Sequence, residues 1–192
     1  MTALTPSVIA MLVATCASNI ATSTMTSLIR VESNNDPLAL NVNKIRRQPP
    51  TPATIDQAVT IAQKYIDLGY SVDLGLAQVN NLNLAYLGLS IKSVLDPCVN
   101  VAAGATILSE NYTSTSRKMG DGQPALAAAL SMYNSGNTAT GFRNGYVAKY
   151  YGDPPAQRTP VPAPQPPSAP REASGYERQL EAIMAHDASS GK

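Results

Sequence analysis

Between Asp153 and Pro170 eight residues are proline, namely Pro154, Pro155, Pro160, Pro162, Pro164, Pro166, Pro167 and Pro170. Proline has no backbone N–H and a fixed φ, so neither a helix nor a central strand runs through such a stretch. The packed domain therefore ends before it, near Gly152. The sequence divides into a domain over residues 1–152, an extended proline-rich linker over 153–173, and a short tail over 174–192. In the tail, Ser174-Gly175-Tyr176-Glu177 reads as a capping box, and Tyr176, Leu180, Ile183 and Met184 share one helical face. That pattern suits a solvated tail helix or an amphipathic helix that docks on a partner.

Inside residues 1–152 the apolar positions recur at helical spacing. Pro6 to Ala17 and Ser23 to Ser33 read as two helices, the second stopped by Asn34-Asn35-Asp36-Pro37. Thr54-Ile55-Asp56-Gln57 opens a third, with Ile55, Ala58, Val59, Ala62 and Ile66 inward, and Gly69 closes it. Asp96-Pro97 starts a long helix to about Thr115, whose inner face reads Cys98, Val101, Ala105, Leu108 and Tyr112. A further helix runs from Pro124 to Gly136. Only Leu38 to Asn43 and Tyr70 to Leu74 suit strands, so the expected fold is mainly α, with at most a small β-hairpin.

Several function classes lose their support at this stage. The formal net charge is +1 and the basic residues are scattered, which argues against nucleic acid as a partner. No apolar run approaches the roughly 20 residues that span a bilayer. Val8 to Ala14 has the length of a signal-peptide core, but no basic residue precedes it, and a first domain helix is the better reading. The sole histidine is His186, so neither a metal site nor a catalytic Cys/His pair is expected. Cys16 and Cys98 either pair across a long loop, given an oxidising compartment, or remain two buried thiols.

One residue breaks the pattern of its helix. Met25, Leu28 and Ile29 form an apolar stripe whose next member is Glu32. A carboxylate there either sits at a domain edge in solvent or lines a cleft, where desolvation keeps a proton available near neutral pH. Further on, Gln78 and Asn80 alternate with Ala77 and Val79, offering two amides to a sugar or to the turn at Gly75. Asp36 reads as serving the turn before Pro37, and Asp73 as ending the strand before the loop.

Glu32-Ser33, then Gly75-Leu76-Ala77-Gln78-Val79-Asn80, then Met132-Tyr133-Asn134-Ser135-Gly136 stand in this order. Together they resemble the signature of lytic transglycosylases with a goose-lysozyme-like core. In particular they resemble the small transglycosylases that accompany bacterial type IV secretion systems. The Ile55–Leu68 helix, Leu87-Gly88-Leu89-Ser90, Asp96-Pro97-Cys98 and Gly141-Phe142-Arg143-Asn144-Gly145-Tyr146-Val147 carry that narrower likeness, which covers residues from about 5 to 151. Met132 departs from the family's usual alanine, and Asn35 replaces more typical residues after Glu32-Ser33.

The resemblance implies an α+β lysozyme-like enzyme of the periplasm or cell envelope, acting on peptidoglycan glycan strands without a cofactor. Glu32 would protonate the oxygen between N-acetylmuramic acid and N-acetylglucosamine. It would then take a proton from the muramoyl 6-hydroxyl, closing a 1,6-anhydro ring. Ser33, Gln78, Asn80, Tyr133, Asn134 and Tyr146 become candidate substrate contacts, although Tyr133 also suits ordinary core and Asn134 a helix-end tie. Type IV secretion components are the implied partners of the tail. A non-catalytic peptidoglycan-binding scaffold and a hydrolytic muramidase stand as rivals.

Overall fold

The computed structural model describes residues 3–151. The linker and tail read from the sequence lie outside the described residues. The chain divides into two compact units, Met1–Ser109 and Glu110–Lys192, and the division falls within a long helix.

The first unit opens with α1 (Pro6–Cys16) and α2 (Thr22–Ser33). The Thr5 hydroxyl caps α1, which buries Ile9 and Val13. The stretch Val8 to Ala14 is thus part of a helix packed on α2. Strand β1 (Leu40–Val42) follows, then α3 (Ile55–Asp67), β2 (Val72–Leu74) and β3 (Val79–Asn80). The three strands form one antiparallel sheet in the order β1-β2-β3, one strand more than a hairpin. With only two residues, β3 is too short to show alternation in the sequence. Register is set by Leu40 opposite Leu74, Val42 opposite Val72, and Leu74 opposite Val79, which bury one face. The outer edge of β1 is closed by Gln48, whose amide accepts from the Val42 N–H and donates to the Val42 carbonyl, both at 2.8 Å.

Helix α3 begins as its caps dictate, the Thr54 hydroxyl accepting from Gln57 N–H. Ala58 and Ala62 are buried, while Ile55, Val59 and Ile66 are half-buried. After β3 come a 3₁₀ turn (Asn81–Asn83), α4 (Leu84–Leu87) and α5 (Ile91–Val94). These short helices carry too few residues for an apolar period to be visible.

Helix α6 (Pro97–Met119) is the long one, and Asp96 Oδ1 accepts from the N–H groups of Cys98 and Val99 at 2.9 and 3.0 Å. It runs past Thr115 because no breaker occurs before Gly120. Val101, Ala105 and Leu108 are buried and Tyr112 is half-buried, but Cys98 is exposed. In the first turn of the helix its position lies beyond the core's edge, which corrects the inward placement that the stripe suggested. Cys98 is disulfide-bonded to Cys16, across a sequence separation of 82.

The second unit holds the end of α6, α7 (Gln123–Ser135), α8 (Thr140–Arg143) and α9 (Ala148–Tyr151). Five alanines and leucines of α7, Ala125 and Ala127 to Leu130, are buried, and Gly136 in the left-handed region ends the helix. Thr115 Oγ1 donates to the Ala125 carbonyl at 2.8 Å, tying the end of α6 to α7. Gly141 packs on Ser131 so closely that a Cβ would stand 2.6 Å from Ser131 Cα. Ser131, itself fully buried, accepts from Gly141 N–H at 2.9 Å and donates to Asn137 O at 2.8 Å.

Candidate functional site

Glu32 closes the stripe that its helix predicts. Met25, Leu28 and Ile29 have no exposed surface, and Glu32, one turn on, is half-buried. The helix ends one residue later, at Ser33, because Asn34 and Asn35 both adopt the left-handed conformation, at φ 51° and 66°. Asparagine tolerates that geometry better than other residues with a side chain, which accounts for the pair. Ser33 Oγ donates back to the Ile29 carbonyl at 3.0 Å, so this hydroxyl is engaged by its own helix. Asp36 Oδ1 accepts from Leu38 N–H at 2.9 Å, the turn duty expected of it before Pro37.

The motif Gly75 to Asn80 turns from β2 into β3. Leu76, Ala77 and Val79 are buried, while Gln78 and Asn80 are half-buried, the alternation that the sequence suggested. Gly75 has φ +74°, and a Cβ there would run into the amide of Asn100. Asn100, 1% exposed, donates to the carbonyls of Leu74 and Val94 at 2.9 and 2.7 Å and accepts from Ala77 N–H at 2.7 Å. A buried carboxamide thus fixes the turn from behind. Gln78 also lies in the left-handed region, at φ 48°. Its Nε2 donates to Gly75 O at 2.9 Å and Ala39 O at 3.1 Å, holding a conformation that costs about 1–2 kcal/mol without such support. Among the described residues no hydrogen bond reaches Gln78 Oε1, which is left as an acceptor.

Asp73 does not end its strand as expected but is the middle residue of β2. Asn41 stands opposite it on β1 and Asn80 opposite it on β3. Asp73 Oδ2 accepts from Asn41 Nδ2 at 3.1 Å and Asn43 Nδ2 at 2.9 Å, and Oδ1 accepts from Asn80 Nδ2 at 2.6 Å. Asn80 Oδ1 in turn accepts from Leu82 N–H at 3.0 Å, capping the 3₁₀ turn.

Tyr133, Asn134 and Tyr146 belong to the second unit. Tyr133 is half-buried near the end of α7 and Asn134 is exposed. Asn134 Oδ1 accepts from Asn144 Nδ2 at 2.9 Å, and Asn144 Oδ1 accepts from Tyr146 N–H at 3.0 Å. Asn144 therefore joins two of the candidate residues, a role the sequence did not single out. Tyr146 is 5% exposed, and its hydroxyl lies 2.6 Å from that of Tyr150.

The sequence does not single out Asn100, Asn41 or Asn43, whose side chains hold the turn and the sheet. For Asn100 a signal existed, since it precedes Ala103 and Gly104 at helical spacing in a buried row, the same anomaly that marked Glu32. Asn41 and Asn43 gave none before the register of the sheet was known. Among the described residues, no three His, Cys, Asp or Glu side chains gather to hold a metal ion, and no helix is long and apolar enough to cross a membrane.

Residues 10–152 match the model of the Transglycosylase SLT domain. The chain is 37% identical over 138 residues to Protein virB1 of Rhizobium radiobacter, covering 70% of this chain and 55% of that protein. It is 39% identical over 131 residues to the Type IV secretion system protein virB1 of Brucella abortus, covering 67% and 54%. To Protein virB1 of Agrobacterium fabrum it is 34% identical over 167 residues, covering 84% and 64%. The matched stretch thus spans a little over half of the first two relatives and just under two thirds of the third. No solved structure matches. The family model takes in Glu32, the Gly75–Asn80 turn and the Tyr133–Gly136 helix end together, and the chain belongs to the Transglycosylase SLT domain family.

Proposed function

We propose that this chain is a peptidoglycan lytic transglycosylase that opens the bacterial cell wall for a type IV secretion or conjugation machine. The observation that carries the reading is Glu32, a half-buried carboxyl group at the end of an otherwise buried apolar stripe, inside the SLT family match. A carboxyl group partly withdrawn from water suits proton donation to a leaving oxygen. Glu32 protonates the glycosidic oxygen between N-acetylmuramic acid and N-acetylglucosamine, and the C1–O bond breaks. The resulting carboxylate takes the proton of the 6-hydroxyl as that oxygen bonds C1, so the acid is regenerated and the sugar ends as a 1,6-anhydro ring. Because the nucleophile belongs to the substrate, this route asks for no second carboxylate, unlike the paired arrangement of ordinary glycosidases.

Gln78 contributes its unoccupied Oε1 as an acceptor for sugar hydroxyl or acetamido N–H groups. Ser33, Asn80, Tyr133, Asn134 and Tyr146 are the remaining proposed substrate contacts. The chain has no tryptophan, so its tyrosines supply the aromatic faces for sugar rings. Residues 1–152 form the catalytic domain in this reading, and the tail beyond the proline-rich stretch is the proposed site for secretion-system partners. The name of the Brucella abortus relative supports the secretion setting, and with it a place at the cell envelope.

Glu32→Gln tests the assignment. The variant keeps its fold and its affinity for glycan, while turnover of purified sacculi falls by at least about a hundredfold, the lower end of what general acid–base catalysis supplies. Turnover equal to wild type would show that Glu32 is not the acid and leave a glycan-binding scaffold as the better account.

A further inference from the structure

Helix α2 has two faces of opposite character. The stripe that ends in Glu32 is apolar and buried, whereas Ser23, Thr26, Ser27 and Arg30 recur at i, i+3, i+4 and i+7 on another side. At 3.6 residues per turn this second stripe is centred about half a turn from Glu32. With Pro6, Ile9 and Ala10 of α1 it lines a cavity of about 330 Å³, and Asn35, just past the end of α2, lines it too. That volume lies at the lower end of the range of small-molecule sites, about 300–1,000 Å³. Thr26, Ser27 and Asn35 are half-buried, and Leu4 N–H donates to Asn35 O at 2.9 Å, so the segment before α1 holds the residue beside the cavity.

Elsewhere in this unit Ser33, Asp36 and Asp96 spend their side chains on turns and helix ends. Around the cavity Thr26 does so, its hydroxyl donating to Ser23 O at 3.2 Å. Among the described residues no hydrogen bond or ion pair reaches Ser23 Oγ, Ser27 Oγ, the Asn35 carboxamide or the Arg30 guanidinium. The helix dipole favours a cation in the last turn of α2. It accounts for the charge of Arg30, but not for the cavity beside it, the open hydroxyls or the apolar wall. Donors of Arg30 and Asn35 with a serine hydroxyl close by suit a carboxylate, which only accepts. The wall of proline, isoleucine and alanine suits methyl groups rather than sugar hydroxyls. A bacterial wall offers that combination in its peptide stems, which have small methyl side chains and end in the carboxylate of alanine.

We infer that the cavity between α1 and α2 binds the alanine carboxylate end of a peptidoglycan peptide stem, Arg30 and Asn35 taking the carboxylate and the α1 wall the methyl group. The inference rests on the reading of the chain as an enzyme of peptidoglycan. Because the cavity and Glu32 lie on opposite sides of α2, the stem held there is not the one beside the bond being cut. Binding in the cavity therefore tethers the enzyme to the cross-linked wall and leaves the chemistry at Glu32 unchanged.

The test uses the full chain and two probes, N-acetyl-D-alanyl-D-alanine and its C-terminal amide, which lacks the carboxylate. Binding is followed by NMR through the Arg30 Nε–H and the backbone amides of Ser27 and Asn35. The inference expects the acid to move these resonances to saturation and the amide to bind at least about tenfold more weakly, the effect of losing a hydrogen bond between charged groups. Arg30→Gln should lose as much affinity for the acid, and Ser27→Leu, which fills the cavity and keeps the charge, should lose it as well. Arg30→Gln should still cleave glycan strands stripped of peptide at the wild-type rate, while binding intact sacculi about tenfold less tightly. Acid and amide binding alike, or resonances that the acid leaves unmoved, overturn the inference and leave the enzyme reading intact. A wild-type chain that binds the acid but leaves stripped strands uncut supports the cavity and overturns the enzyme reading.

Discussion

Replacing Gly75 by alanine should damage the turn that carries Gln78 more than one methyl group suggests. At φ +74° an alanine sits in the left-handed region, which costs about 1–2 kcal/mol. Its Cβ also meets the Asn100 amide, and displacing that amide strips a donor from the buried carbonyls of Leu74 and Val94. Each buried group left without its partner costs about 1–3 kcal/mol, so the whole loss falls between about 3 and 8 kcal/mol. Urea denaturation followed by circular dichroism, with the disulfide intact, measures it. The double variant Gly75→Ala/Asn100→Ala separates the two causes, because removing the amide makes room for the new methyl. Its loss should be smaller than the sum of the single losses by at least about 1 kcal/mol, as expected of residues in contact. A Gly75→Ala chain less than about 1 kcal/mol weaker than wild type, or strict additivity, would refute the contact that this argument rests on.

Two further perturbations address the frame. Reducing the Cys16–Cys98 bond, or replacing both cysteines by serine, should lower the unfolding free energy by about 4.5 kcal/mol, the chain-entropy value for a loop of this length; an unfolding midpoint indifferent to reductant would count against it. In the second unit, Gly141→Ala should cost about 2–3 kcal/mol, since the new Cβ falls against Ser131 Cα. The Ser131→Ala background should not restore that stability, because the obstacle is backbone, and full rescue would show that only the hydroxyl stood in the way.

The parts of the fold written plainly in the sequence are those where a single residue type has one physical job. Thr54, Asp96-Pro97 and Gly136 mark helix ends by what their atoms can satisfy, and the helices begin or end there. Glu32 stands out in the sequence because a charge in an apolar stripe is an anomaly of period, and the stripe is buried up to it. The three-stranded sheet was legible only in part. Its register depends on Leu40, Val42, Val72, Leu74 and Val79 meeting across separated segments, and β3 has two residues. The same non-locality hid the polar row of Asn41, Asp73 and Asn80, whose members come from three strands. Cys98 shows the converse error, in which a helical stripe was extended one turn too far and placed an exposed residue inside. Asn34 and Asn35 in the left-handed region explain the departure from more typical residues after Ser33, since their side chains suit the turn.

The claim that Glu32 works alone, with the substrate's own 6-hydroxyl as nucleophile, is tested most directly by the mass of the sugar ends that the purified chain releases from peptidoglycan. The account predicts muropeptides lighter by one water than their reducing counterparts, from the first products onward. Release of reducing ends with solvent oxygen incorporated from labelled water would contradict it and make the protein a hydrolase.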